Sequence, residues 1–291
     1  MKASSSSKQS GVITITIIYL LIAFSGWLSW NFIPIKNEVI AFLIADIVMT
    51  IVCFSFSMVY KNSSVYDAFW SVIPFYFVVF WSYLYSQQLT IFHLISFLIV
   101  SIWSWRLTLN WVRSWAGIHH EDWRYVDLAR KTDVFYPAVS FLGIHLFPTI
   151  LVFAGMWPLF YSFYNPLDSE ILFCVGSLIS LIGIWYEYSA DHELAKFKRR
   201  PNPQKGEILD SGLWSKSQNP NYFGEILFWI GIGIVGISFS APYYTLSGAI
   251  AMILLFNFIS IPLKEERMIA RRKNYGAYQK RVPRLIPNPF R

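Results

Sequence analysis

Between Glu187 and Glu225 the chain gathers six Lys/Arg and six Asp/Glu residues together with several Asn and Tyr, while apolar segments, about 170–186 and 226–239, flank it on both sides. A membrane hairpin turns round in a few residues, so a polar stretch of this length reads as a binding site. Glu187, Asp191, Leu194 and Lys198 share one helical face. Lys198, Arg199 and Arg200 follow in one run, and Pro201 and Pro203 stop the helix. Three consecutive cations beside a membrane suit lipid headgroups. Acid and base on one helix face, next to a loop rich in hydrogen-bonding groups, also suit a nucleotide: carboxylates accept from ribose hydroxyls or an amide, and cations meet phosphate. Gly206 and Gly212 permit tight turns before Asn219-Pro220-Asn221-Tyr222-Phe223-Gly224-Glu225 opens the next helix. Pro220 fits a helix start, whose free N–H groups can receive an anion or a carbonyl. Glu225 falls about one turn inside, where an unpaired charge is costly, so a Lys, an Arg or a ligand is expected as its partner.

Other positions carry weaker signals. Asp67, in Tyr66-Asp67-Ala68-Phe69-Trp70, is either a dipole-favoured residue in the first turn of a helix or a carboxylate at the mouth of the bundle. Arg106, Asn110 and Arg113 recur at i, i+4 and i+7, a polar stripe between tryptophans that faces something polar or snorkels to the membrane surface. Asp46 is a charge at membrane depth, costing about 3 kcal/mol on an insertion scale, and either faces the interior or sits near a headgroup layer. The segment His119-His120-Glu121-Asp122-Trp123-Arg124-Tyr125 reads as a solvated loop, since two adjacent His without a third fixed ligand do not make a metal site. Gly231-Ile232-Gly233-Ile234-Val235-Gly236 matches a dinucleotide fingerprint, but at mid-membrane its glycines read as close helix packing. After the last apolar run, Glu265, Glu266 and the regularly placed Tyr275 and Tyr278 point to a tail folded back over the polar stretch as a lid or wall.

These groups need elements to position them. The chain is 55% hydrophobic and only 14% charged over 291 residues, against roughly 25% charged in soluble domains. That predicts an all-α polytopic membrane helix bundle of about seven to eight transmembrane helices with cytoplasmic cofactor-binding loops. Eight apolar runs, near 12–34, 39–60, 67–86, 89–112, 135–160, 168–190, 220–240 and 242–263, are long enough to cross a bilayer. With the amino terminus cytoplasmic, 23 of the 24 Lys/Arg fall in cytoplasmic segments and Lys36 alone falls outside. Orientation and headgroup attraction therefore account for the net charge of +7 without nucleic acid. Residues 1–10 read as a disordered tail, 11–60 as N-terminal membrane helices and 61–291 as the main domain, its binding core at 180–291. The first apolar run is too long for a signal-peptide core and reads as retained. Cys53 and Cys174 fall in apolar spans and read as packing residues. The five His are too scattered for a membrane di-iron oxygenase, and no metal is expected. The sequon Asn62-Ser63-Ser64 sits on a cytoplasmic loop and should be unused.

Across 180–291, L-x-S-G-L-W-x-x-x-x-N-P-N-Y-F-G-E, preceded by E-x-x-x-D-x-x-x-x-x-x-K and followed by E-E-R and Y-x-x-Y-x-x-R-V-P-x-L-I-P, resembles the C-terminal domain of the steroid 5-alpha-reductase family. The earlier W-R-L-T-L-N-W and E-D-W-R-Y elements are similar to its less characterised branch and extend the resemblance back to about residue 60. The resemblance implies a bundle open to lipid on one side, holding NADPH from the cytoplasmic side and reducing a conjugated C=C bond of a lipophilic, steroid-, sterol- or lipid-like substrate. Asp191, Lys198, Asn221 and Glu225 would line the cofactor site with Arg106, and Glu187 stands where the steroid enzymes carry Asn. The same reading adds Asn110, Arg199, Tyr222, Glu265, Tyr275 and Arg281 to the cofactor-binding set. Asp67 would stand in for the Glu that polarises the substrate carbonyl. Trp103 occupies the position of the expected Tyr and, being no practical proton donor, would shape the pocket. Water or a Tyr such as Tyr66 would then give the proton.

Two other readings stay open. N-P-x-Y-F-G, E-E and Y-x-x-Y-x-x-R-V-P also resemble isoprenylcysteine and phospholipid methyltransferases, which use S-adenosylmethionine; the six-cation loop favours a cofactor with phosphates. A lipid-binding scaffold without catalysis is the third. The expected partners are a lipophilic small molecule and membrane lipids, in the endoplasmic reticulum of a eukaryote or the inner membrane of a bacterium. Both termini are expected to be cytoplasmic. Cysteines introduced at positions 5 and 289 should therefore resist an impermeant thiol reagent in intact cells and react once the cells are permeabilised.

Overall fold

The computed structural model describes residues 5–201 and 206–290, with side chains from residue 8 onward. Among the described residues every regular element is helical. The α-helices run in chain order as α1 (Ser5–Phe32), α2 (Glu38–Val59), α3 (Phe69–Leu84), α4 (Ile91–Ser114), α5 (Trp123–Thr132), α6 (Tyr136–Val139), α7 (Phe147–Phe160), α8 (Glu170–Arg199), α9 (Pro220–Ile237), α10 (Ser247–Leu255), α11 (Ile261–Arg271) and α12 (Tyr275–Arg281). Among the described residues eight helical segments are long and apolar enough to cross a membrane, in the order expected from the apolar runs. The protein is a multi-pass membrane helix bundle. Of the predicted N-terminal tail, Ser5–Ser10 belong to α1 and residues 1–4 lie outside the described residues.

Local chemistry sets the helix ends. The Asn37 side chain caps α2 by accepting from Ile40 N at 3.1 Å, and Ser169 caps α8 by accepting from Leu172 N at 3.3 Å. The last turn of α8 carries Lys196, Lys198 and Arg199, which suit the negative end of its dipole. At 30 residues α8 extends about 45 Å, longer than the ~30 Å hydrocarbon layer. Its charged end therefore projects past the apolar slab. The fifth and eighth spans are interrupted by π-helical segments, Ser140–Leu146 and Phe256–Ser260, a wider winding that sequence periodicity does not reveal. The expected loop at 119–125 ends earlier than predicted. Asp122 accepts from Arg124 N at 2.8 Å, and this cap starts the amphipathic α5 at Trp123.

Two compact units make up the chain. The first comprises residues 1–86 and 103–153. Its apolar core is aromatic: Trp30 stacks on Phe42 at 4.3 Å, and Phe77 stacks on Trp81 at 5.4 Å. Beside this core lies a buried polar column. On α2, Asp46, Thr50, Cys53 and Ser57 form one helical stripe, all buried. Thr149 shares hydrogen bonds with Thr50 at 2.8 Å and Tyr66 at 2.9 Å, and His145 shares one with Ser57 at 2.9 Å. Asp46 thus faces the interior of its unit.

The second unit comprises residues 87–102 and 154–291 and is organised by α8 against α9. Glycines remove side chains where the two backbones meet. A methyl carbon on Gly183 would stand 2.6 Å from Gly224 O, and one on Gly176 would stand 2.8 Å from Gly231 O. The pairs 176/183 and 224/231 each recur at seven residues, so the contact is a continuous seam. The apparent dinucleotide fingerprint is part of this packing: Gly231 lies against Ser180, Gly233 against Leu246 and Gly236 against Pro158. Of the two cysteines, Cys53 is buried and Cys174 is exposed, so the second does not pack in the interior. Gly231→Leu should force α8 and α9 apart and cost about 1–3 kcal/mol or more. Gly276→Ala, with nothing within 4 Å of the added carbon, should be neutral or stabilise by up to ~1 kcal/mol. Thermal unfolding of the detergent-purified protein compares the two.

Candidate functional site

In the second unit the polar stretch and the C-terminal tail are knitted into one wall. Gly206 and Gly212 take the left-handed backbone the turns require, with φ of 88° and 58°. Leu213 N donates to Glu193 at 2.9 Å and the Trp214 indole donates to Ala190 O at 3.0 Å, which tie the loop to α8. The tail closes from the other side. Gln218 N donates to Pro283 O at 2.9 Å, Asn219 Nδ2 to Arg284 O at 2.7 Å, Ser217 Oγ to Leu285 O at 2.6 Å and Tyr278 OH to Trp214 O at 2.6 Å. Tyr275, Tyr278 and Val282 form a small apolar cluster with Ile208 and Met268 beneath these bonds. The expected folding back of the tail is what the structure shows.

This wall surrounds the start of α9. Pro220 occupies the first turn, and Asn219, at the N-cap position, does not cap it, because its side chain bonds Arg284 O and the Lys264 ammonium instead. Lys264 donates to Gln218 O at 3.0 Å and to Asn219 Oδ1 at 2.7 Å, and lies 4.8 Å from the centre of the Trp214 ring and 5.6 Å from that of Tyr222. Asn221 Oδ1 is buried without a hydrogen-bond partner among the described residues. Lys198, exposed at the end of α8, lies within electrostatic range of Lys264. The cations and the uncapped helix start favour an anion, and the unused Asn221 carbonyl oxygen favours a hydrogen-bond donor.

Deeper along the seam, Glu187 and Glu225 are 3% and 4% exposed. A methyl carbon on Gly224 would stand 2.7 Å from Glu187 Cγ, so both carboxylates belong to the α8–α9 contact. The Trp229 indole donates to Glu225 at 3.0 Å. Asp191 is half-buried on the same helix as Glu187. Among the remaining candidates, Arg199 is exposed, Glu265 pairs with Arg284 at 3.1 Å and Arg281 pairs with Asp210 at 3.3 Å. The last two pairs hold the wall together. Arg200 pairs with Glu207 and lies over the Phe197 ring, so of the three consecutive cations it is the one turned to an internal contact.

In the first unit Asp67 sits two residues before α3, outside the first turn expected for it, at the end of a short 3-10 turn, Ser63–Tyr66. Tyr125 OH donates to its Oδ1 at 2.7 Å. Tyr66 is buried, hydrogen-bonded to Thr149 at 2.9 Å and stacked on Phe69 at 4.9 Å. The sequon residues are buried as well: Asn62 donates to Ile118 O at 2.6 Å and Ser63 N donates to Glu121 at 2.7 Å. The segment read as a solvated loop is thereby docked on residues 62–67, although His119 and His120 themselves are exposed. Trp103 is 0% exposed, and Arg106 and Asn110 follow it on α4, half-buried. Tyr125 lies in the segment 119–125 and Lys264 just after the last apolar run, yet only the tertiary contacts give them partners. Their sole advance signal is a hydrogen-bonding residue just inside a helix that begins at an acidic cap or leaves the membrane.

The fold and these polar clusters define a multi-pass helical membrane protein with a built polar wall at the charged end of its longest helix. A family model described as a protein of unknown function (DUF1295) matches residues 53–282, and the chain belongs to that family. It is similar to an uncharacterized protein of Schizosaccharomyces pombe, with 23% identity covering 92% of this chain and 85% of that protein. No solved structure matches it.

The wall carries a pH dependence. Tyr275 is 1% exposed, and burial first, then the nearby Glu265 carboxylate, push its hydroxyl up to about 12 against a smaller opposing effect of Arg272. The folded wall holds the neutral phenol. Its contribution to stability is complete below the unfolded tyrosine value of about 10 and is lost as pH rises through about 12. Limited proteolysis should release the tail after Arg272 progressively over that window, and Tyr275→Phe, which removes the ionisable group, should move the release to higher pH.

Proposed function

We propose that this protein is a membrane-embedded reductase that takes NADPH and reduces a conjugated C=C bond in a lipophilic substrate, as its resemblance to the steroid 5-alpha-reductase family implies. The observation that supports the reading is Lys264 bonded at the uncapped start of α9, with Lys198 within its electrostatic range and the buried Asn221 oxygen in the same first turn left without a partner among the described residues. Lys198 and Arg199 have no ion pair among the described residues and suit the phosphates of such a cofactor, including the one that distinguishes NADPH from NADH. Asn221 offers an amide to a carboxamide or ribose, while Glu187, Asp191 and Glu225 provide acceptors along the same seam. NADPH, when bound, supplies the hydride.

The chain's own residues supply the polar chemistry. Tyr66 is held by Thr149, and the Trp103 indole does not release a proton near neutral pH. Within the first unit, the Asp67–Tyr125 pair is a better place to hold a proton: in a carboxyl–phenol hydrogen bond the protonated Asp67 carboxyl is the stronger acid and the group that can release it. We therefore assign the proton-donating role to this pair in place of Tyr66.

Detergent-purified protein should gain thermal stability with NADPH, less with NADH, and none with S-adenosylmethionine. Asn221→Ala should remove the NADPH response. Lys198→Ala should weaken NADPH selectively, by about tenfold to a hundredfold, the worth of one charge-assisted contact of ~1.5–3 kcal/mol. Asp67→Asn and Tyr125→Phe should bind NADPH normally and lower turnover of an enone-bearing lipophile by roughly 10²–10⁴-fold. Stabilisation by S-adenosylmethionine with methyl transfer would replace the reading with the methyltransferase one.

A further inference from the structure

The first unit contains a group that neither the wall nor the Asp67–Tyr125 pair uses. Asp46 is 0% exposed, inside α2, and both of its carboxyl oxygens lack a hydrogen-bond partner among the described residues. It is the exception in the polar column. Thr50, Ser57, Tyr66, His145 and Thr149 all find partners there, and Thr50 bonds the backbone oxygen of Asp46, not its side chain. A second orphan is close by. The Tyr76 hydroxyl is buried without a partner among the described residues, and Asp46 lies within electrostatic range of it. The α1 backbone packs closely here: a methyl carbon on Gly26 would stand 3.0 Å from the Tyr76 hydroxyl and 2.6 Å from Met49 Sδ.

Burying an unsatisfied carboxyl and an unsatisfied phenol together works against folding, because each loses its hydrogen bonds to water and gains none. Apolar residues of the same size would make a more stable core. Groups retained against stability in this way mark a site whose missing donor arrives with a ligand. An ionised Asp46 carboxylate only accepts and the Tyr76 hydroxyl can follow either role, so the group complementary to the ionised form is a hydrogen-bond donor. The surroundings, Met49 and the aromatic rings of Phe77 and Phe80 beside Tyr76, suit an apolar body.

We propose that Asp46 and the Tyr76 hydroxyl form a polar recognition point inside the first unit for a lipophilic molecule whose buried end carries a hydrogen-bond donor, a hydroxyl or a protonated amine. The inference is independent of the reductase reading and its test requires no turnover.

The full chain, reconstituted in nanodiscs, is doped at one mole fraction with hexadecanol, hexadecylamine or 2-hexadecanone, which share an alkyl body and differ in whether the polar end donates. The alcohol or the amine should raise the apparent Tm and the ketone should not; the larger rise identifies the head. Tyr76→Phe removes a hydroxyl that has no partner to lose, so it should leave the undoped Tm unchanged and reduce the response. Asp46→Asn should keep the undoped Tm within error and abolish the amine response, and Asp46→Leu should abolish both responses. Equal shifts with all three amphiphiles would overturn the proposal. So would a fall in the undoped Tm of both Tyr76→Phe and Asp46→Asn, since these groups would then be holding the fold. NADPH stabilisation should be unaffected in all three variants, which separates this outcome from that of the cofactor experiment.

Discussion

The close approach of α8 and α9 is the constraint on which the second unit depends. Helices in a bilayer gain little from excluding water, so their association rests on van der Waals contact, and contact is closest where there are no side chains. Gly176, Gly183, Gly224 and Gly231 supply that surface on both partners. Because the seam runs the length of α9, it fixes where that helix begins relative to α8. Glu187 is then set against Gly224, and Glu225 one residue further on.

What the seam positions, the wall encloses. The start of a helix has backbone donors without intrahelical partners, and in most proteins a side chain from the N-cap satisfies one of them. Here Asn219 is turned away by Arg284 and Lys264, and the tail bonds that hold it there come mainly from backbone carbonyls of residues 279–285. The wall therefore does two things at once. It closes the apolar cluster of Tyr275, Tyr278 and Val282 against the loop, and it leaves the helix start available to something other than its own cap.

In the first unit the governing rule is that polar groups at membrane depth need partners. Tyr66, Thr149, Thr50, His145 and Ser57 satisfy one another across α2 and the interrupted fifth span, and the π-helical winding at Ser140–Leu146 lies in that span where it meets them. Asp67 obtains its donor from Tyr125, a residue 58 positions away. Asp46 obtains none among the described residues.

Much of this was legible in the amino-acid order. The eight spans, the helix start at Pro220, the turns at Gly206 and Gly212 and the packing role of the mid-membrane glycines follow from hydrophobic length and local backbone rules, which operate within a few residues. Which charges pair could not be read that way. Motif position does not tell that Glu265 pairs with Arg284 or Arg281 with Asp210. Arg200 looked equivalent to Lys198 and Arg199 until its contact with Glu207 distinguished it. The segment 119–125 looked solvated because its residues are polar, but its partners lie at residues 62–67. By itself the sequence determined the class of the protein and the length and order of its membrane helices, because those depend on composition summed along the chain. Only the tertiary structure decided which polar groups are satisfied and which stay without a partner among the described residues, because a hydrogen bond depends on where two groups distant in sequence meet.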